Sequence, residues 1–366
     1  MALFFKSPKP KHKFSVAREK KAIDAHFKAR KVPRSQPKRL LVASWNVANL
    51  GVQGRTAAAR KLIAHILKRF DLIAMQEVKD NFQSFLDVVK RMGPAFDYVM
   101  TDTAGNEERL AFVYRKKKVK LRNLFGELAL RAREFPRRTV TVRWEDKNKK
   151  PRVQKFKNFR FQPFDRNPFI GSFAAGKVDF LLVNVHLYFG KFQNSRKEKD
   201  RERYARRVLE IYALSRWADR RFERKTTYDK DIVLLGDMNV PKRDKKDSAY
   251  KALAAFQWNP INYLEKKAKG PVLGTEKDAQ LISQVGGSNL GNDKTYDQMV
   301  FAPGAGGLTP RIQAFGIFDF DRAIFKPLWK KLTKKLSQGR ATGKFRAHVK
   351  HHLSDHRPLW LQLATH

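Results

Sequence analysis

The chain predicts a layered α/β (α+β) domain on three observations. From residue 40 onward short apolar runs alternate with helix-period patterns, several of those runs end on polar side chains, and 366 residues suffice for one large core. Before that point, residues 1–39 hold thirteen Lys or Arg against Glu19 and Asp24, four prolines and few large apolar residues, so a basic, flexible arm is expected, with a transient helix near 17–30. No boundary forces a split within residues 40–366, which are expected to form one domain.

The first apolar run, Leu40-Leu41-Val42, leads into Ser44-Trp45-Asn46. Residues 56–69 place Ala59, Leu62, Ile63, Ile66 and Leu67 on one helical face, with Thr56 as N-cap. Leu72-Ile73-Ala74-Met75 then reads as a buried strand ending in Gln76-Glu77, and Phe82, Phe85, Val88 and Val89 mark a helix over 80–91. Strands follow at Leu110-Ala111-Phe112-Val113-Tyr114 and Val140-Thr141-Val142, and Arg115-Lys116-Lys117-Lys118 reads as a turn between neighbouring strands. Phe180-Leu181-Leu182-Val183 delivers Asn184-Val185-His186. A long helix over 196–224 carries Tyr204, Val208, Ile211 and Ser215 on its inward stripe. Ile232-Val233-Leu234-Leu235 delivers Gly236-Asp237-Met238-Asn239. Tyr296-Asp297 precedes Met299-Val300-Phe301, and Ser354-Asp355-His356 precedes the last strand, residues 359–363. The stretches 241–295 and 303–353 read as loop-rich, with His351 and His352 facing solvent.

Composition narrows the partner. Lys and Arg number 78 against 35 acidic residues, a formal charge of +43, of which residues 1–39 supply +11. Such a surplus calls for a polyanion, and charge alone does not choose between nucleic acid and an anionic membrane surface. With no cysteine, disulfides and thiol catalysis are excluded. No apolar stretch reaches the roughly 20 residues of a membrane span. Residues 2–5 are shorter than the about 7–15 residues of a signal-peptide core, so the expected location is inside the cell, in cytoplasm, nucleoid or nucleus.

Acid, amide and imidazole gathered at strand ends suit phosphate-ester hydrolysis, which needs a cation, a water activator and an acid for the leaving group. Glu77, with the amide oxygen of Asn46, offers hard oxygen ligands for magnesium, with manganese or calcium as alternatives. Asp237 can position or deprotonate water, Asn239 can donate to a phosphoryl oxygen, and His186 and His356 titrate near neutrality.

In order, Ser44-Trp45-Asn46-Val47, Gln76-Glu77-Val78, Asn184-Val185-His186-Leu187, Gly236-Asp237-Met238-Asn239, Thr295-Tyr296-Asp297 and Ser354-Asp355-His356-Arg357-Pro358 resemble the endonuclease/exonuclease/phosphatase family. Glu108-Arg109 and Arg166-Asn167-Pro168-Phe169 look most like deoxyribonuclease I. The resemblance runs from about residue 40 to residue 363. It implies a four-layer sandwich, two mixed β-sheets packed face to face with helices outside. It further implies that Glu77 is the principal metal ligand, that His186 and His356 contact the scissile phosphate, and that Asp297 orients His356 while Glu108 braces His186. Arg166 and Asn46 would hold phosphate oxygens, and Asp355 would join a second metal position. Asn106 stands where deoxyribonuclease I has a DNA-contacting tyrosine. The expected activity is divalent-metal-dependent hydrolysis of phosphodiesters in DNA, or RNA, with either His356 or Asp237 activating water. The alternatives are a phosphomonoesterase or phospholipase on inositol phosphates or anionic lipids, and a non-catalytic nucleic-acid-binding protein.

Overall fold

The computed structural model describes residues 8, 11–146, 148–189, 198–240, 247–253, 287–302 and 307–366. Lys6, Lys9 and most of the 241–295 stretch lie outside them. Among the described residues, one sheet contains β1 (Arg39–Leu50), β2 (Leu72–Lys79), β3 (Phe96–Met100), β4 (Glu108–Arg115), β12 (Ile312–Ile317) and β13 (Leu359–Ala364), in the order β12-β13-β1-β2-β4-β3. The other contains β5 (Lys120–Glu127), β8 (Phe169–Ala175), β9 (Val178–His186), β10 (Ile232–Asp237) and β11 (Asp297–Phe301), in the order β11-β10-β9-β8-β5. Each sheet is mixed: β1 runs parallel to β2 and β9 to β10, while the other pairs are antiparallel.

Alternation along the strands builds the layers, because successive side chains leave opposite faces. Leu40 and Val42 of β1, with Leu72 and Ala74 of β2, pack against Phe180 and Leu182 of β9 and Val233 and Leu235 of β10, forming the core between the sheets. The odd-numbered neighbours Leu41, Ala43 and Trp45 turn outward beneath α1 (Val16–Ala29), α2 (Ala57–Leu67), α3 (Gln83–Met92), and later α6 (Lys326–Lys335) and α7 (Gln338–His352). On the opposite side Leu181, Val183, Ile232 and Leu234 meet α4 (Glu198–Glu223), α5 (Ser248–Leu253) and a ribbon of β6 (Arg138–Glu145) and β7 (Pro151–Phe159). The fold is the expected four-layer arrangement, with helices on both outer faces.

Several expectations need correction. Helix α1 is docked, not mobile: Ile23 and Phe27 are buried, Phe27 stacks on Phe318 at 3.9 Å between ring centres, and Arg30 Nε donates to Asp319 at 2.8 Å. Burying one phenylalanine stabilises by about 1.5–3 kcal/mol, enough to offset much of the ordering cost of a short helix with so few apolar residues. The turn at 115–118 joins β4 to β5, which lie in different sheets, so it carries the chain across the sandwich. Residues 303–353 contain β12, α6 and α7 instead of mainly loop, and His351 and His352 are buried on α7.

Candidate active site

The polar strand ends converge. In the smaller sheet, ladder pairing sets Asp237 beside His186 on one flank and Asp297 on the other, so three candidate residues occupy adjacent positions across β9, β10 and β11. Gly236 permits this spacing. Its φ is +144°, and a Cβ there would lie 2.0 Å from the Val185 carbonyl oxygen. In the larger sheet, ladder irregularities fall between Asn46 and Leu50 on β1 and between Met75 and Val78 on β2, and Glu77 sits at this bulge with φ +61°. A left-handed glutamate costs on the order of 1–3 kcal/mol and persists only where surrounding contacts impose it. Those contacts are Asn46 Nδ2, donating to Glu77 Oε1 at 2.9 Å, and the Asn49 N–H, donating to Oε2 at 2.7 Å.

Two histidine–carboxylate pairs face each other across Asp237. His186 Nδ1 lies 2.7 Å from Glu108 Oε2, and His356 Nδ1 lies 2.8 Å from Asp297 Oδ2. Their Nε2 atoms point at one oxygen, Asp237 Oδ2, from 3.6 and 3.7 Å. Each ring is thus fixed from behind with its other nitrogen directed into the site. Burial opposes charge on His356, but the nearby carboxylates of Asp297 and Asp237 outweigh it and hold the imidazole well above its ordinary value. Burial likewise pushes Glu108 upward, yet His186, Arg166 and Lys79 together hold its carboxyl far below the usual range.

Asn46 is placed centrally but not as expected. Its amide nitrogen donates to both Glu77 and Asp237, the latter at 3.1 Å, while its oxygen accepts the Ala48 N–H at 2.9 Å. Both hydrogens of its amide are thereby committed to carboxylates, leaving no donor for phosphate, while its oxygen keeps a second lone pair. Arg166 also departs from expectation: Nε and Nη2 donate to the carbonyls of His186 and Leu187 at 2.9 and 3.1 Å, so its fork holds the end of β9 instead of reaching for phosphate. Asn239, at φ +55°, commits one amide hydrogen to the Leu187 carbonyl at 2.8 Å. Asp355 is engaged by Lys350 Nζ at 2.6 Å and joins neither acid–histidine cluster.

Those clusters, each with ligand atoms within 4.8 Å of one another, are Glu77, Glu108 and His186, and Asp237, Asp297 and His356. Glu108 is already neutralised by Lys79 Nζ at 2.9 Å and by His186. Among the described residues Glu77 lacks a basic partner that close; its nearest there is His186 Nε2 at 4.0 Å. With Asn46 bridging it to the buried Asp237, two carboxylates share one small region, and hard oxygen donors so arranged fit a divalent cation.

Some supporting residues were not visible in the sequence. Lys79 joins Glu108 and the Asn106 carbonyl, while Asn106 Nδ2 donates to Glu108 at 2.6 Å. Gln76 Nε2 donates to Asn184 Oδ1 at 2.7 Å, stapling the two sheets directly behind the site. Trp45 Nε1 donates to the His356 carbonyl at 2.8 Å, and Ser354 Oγ to that of Asn46 at 2.7 Å. In the sequence Gln76 and Asn184 show as polar residues closing apolar runs within the matching motifs, and their contact across the two sheets does not.

Two mixed sheets packed face to face, with imidazoles and carboxylates gathered at their strand ends, define a class of layered α/β proteins with a shared acid–histidine site. The chain belongs to the Endonuclease/Exonuclease/phosphatase family, whose model matches residues 43–249. Members of that family are hydrolases of phosphodiesters or phosphate esters. The match holds Asn46, Glu77, Glu108, His186 and Asp237, and the fold brings Asp297 and His356 to them from beyond it. The chain is 26% identical over 224 residues to a protein named deoxyribonuclease from Thioalkalivibrio sp. (strain K90mix), covering 59% of this chain and 50% of that one; it thus spans about half the length of this curated relative. Among solved structures, it matches an endonuclease/exonuclease/phosphatase family protein from Bacteroides thetaiotaomicron at 16% identity and TM-score 0.47, over 90% of this chain and 98% of that one. It also matches D. rerio TDP2 humanised by 14 mutations, at 15% identity and TM-score 0.48, over 89% and 98%.

Proposed function

We propose that this protein is a divalent-metal-dependent nuclease that hydrolyses backbone phosphodiesters of DNA, with RNA as the alternative substrate. The observation that supports it most is the pair of braced imidazoles converging on Asp237 beside Glu77, in a chain of charge +43. A divalent ion, magnesium by preference with manganese or calcium as substitutes, would be held chiefly by Glu77 and would neutralise charge on the phosphoryl group. Asp237 takes the role of water activator, because its Oδ2 is the atom both rings face. His356, held protonated by its carboxylates, donates toward the phosphate and the leaving oxygen. His186 contacts the phosphate from the other side, fixed by Glu108. The second amide hydrogen of Asn239 stabilises developing phosphoryl charge, which the first, bound to Leu187, cannot do.

Incubation with supercoiled plasmid tests this. We expect nicking with magnesium, none with EDTA, and losses of about 10²-fold or more in Glu77→Ala and His186→Ala. Release of phosphate from a phosphomonoester without nicking would replace the nuclease by a phosphatase, and plasmid binding without any hydrolysis would leave only a binding protein.

A further inference from the structure

Between helices α6 and α7 and the segments that hold Asn292 and Arg357 lies a cleft of about 450 Å³ whose lining includes none of the residues assigned to hydrolysis. Two helices make its wall. On α6, Lys326, Trp329 and Lys330 are spaced i, i+3, i+4 and share a face; on α7, Phe345 and Arg346 turn toward them. Trp329 and Phe345 meet edge to face at 5.3 Å between ring centres, and both remain only partly buried. Among the described residues, the side chains of Lys326, Lys330 and Arg346 have no ion pair or hydrogen bond, and all three are exposed. The floor reaches the active site through two segments. Arg357 directly follows His356 and donates to Asp321 at 2.8 Å and to Asn292 Oδ1 at 2.7 Å, while Asn289 bridges to His356 itself.

We propose that this cleft seats one unpaired nucleotide of the substrate strand, next to the scissile phosphate. A base offers a flat π-face and its phosphate a negative charge; the cleft offers aromatic rings and three uncommitted cations in a volume suited to a small ligand. A purely apolar ligand would leave those cations unmatched, and an inorganic anion would leave the rings unused. The assignment rests on the nuclease reading above, since the nucleotide is supplied by the strand being cut.

The test is binding of a short single-stranded deoxyoligonucleotide with hydrolysis-resistant phosphorothioate linkages to the full chain in magnesium, followed by fluorescence anisotropy. Lys330→Glu combined with Arg346→Glu should raise the Kd about tenfold more than Lys155→Glu with Lys157→Glu, an equal charge change on the exposed β7 ribbon. Trp329→Ala should raise the Kd about tenfold and Trp329→Phe should restore most of it, since phenylalanine retains a stacking face. Equal weakening by the cleft and ribbon variants, or equal affinity of the alanine and phenylalanine variants, would overturn the proposal. Failure of the nuclease reading appears separately: the unmodified oligonucleotide would stay intact while the cleft variants still lost affinity.

Discussion

At the scale of single residues, the site is organised by what stands behind each imidazole. Asp297 fixes His356 and also supplies charge that keeps it protonated, two effects that a neutral isostere separates. In Asp297→Asn the hydrogen bond can persist while the charge is lost, so the His356 pKa should fall. If activity needs the protonated ring, the alkaline limb of the kcat profile then moves to lower pH, with kcat itself down about 10²-fold. An unchanged alkaline limb would remove His356 from the acid role. Arg166 makes the contrasting case: its donors hold backbone carbonyls, so Arg166→Ala should reduce kcat more than it raises KM. A rise in KM with kcat unchanged would return it to substrate binding. Asn46, Glu77, His186, Asp237, Asn239, Asp297 and His356 were legible because each closes or borders an apolar run in a fixed order. The partners of Arg166 and the orientation of the Asn46 amide were not, because main-chain acceptors leave no mark in a sequence.

At the scale of elements, the helices divide by how their apolar residues are spaced. Helix α2 was readable from Ala59, Leu62, Ile63 and Ile66 and from the Thr56 side chain, which accepts the Ala59 N–H. Helices α6 and α7 were not, and α1 was read only as a transient helix, since their buried faces are thin stripes among Lys and Arg that become a core only against α2 and the outer face of the sheet. Helix α7 completes its stripe with histidines: His348 and His352 are buried against Phe325, and among the described residues neither ring nitrogen of His348 has a hydrogen-bond partner. Burial, reinforced by the neighbouring histidines, lowers His348 to about 4 and His352 to about 3. A depressed histidine pKa means the unfolded chain binds protons more readily than the folded one. The stability from keeping these rings neutral is therefore complete above about pH 6.5 and is lost as pH falls toward 4. At pH 5 the loss is about 2 kcal/mol for each ring. The melting temperature should drop by several degrees between pH 7 and pH 5, and His348→Phe should flatten that dependence. A melting temperature flat over this range would show that the rings take up protons without opening the helix.

At the scale of the whole molecule, the alternation of strands and helices marked the layers, and the family resemblance implied two sheets, but strand order lies in pairings that join residues far apart in the chain. The charge is a different whole-molecule property, legible in full and independent of the fold. Residues 1–39 supply +11, so most of the +43 is carried by residues 40–366. If that charge serves nucleic-acid binding, each phosphate met by Lys or Arg releases counterions and log Kobs for duplex falls with log salt at a slope near −0.9 per contact. Six or more contacts would cost about 10³-fold or more in affinity between 50 and 200 mM salt. A small diester with one phosphate engages only the catalytic residues and cannot release counterions in that number, so its hydrolysis should change little over the same range. Plasmid cleavage at subsaturating DNA should therefore fall steeply with salt while small-diester hydrolysis stays nearly level. Parallel curves for the two substrates would mean that the basic surface plays no part in holding DNA. The charge would then need a different polyanion, and anionic vesicles would be the next surface to try.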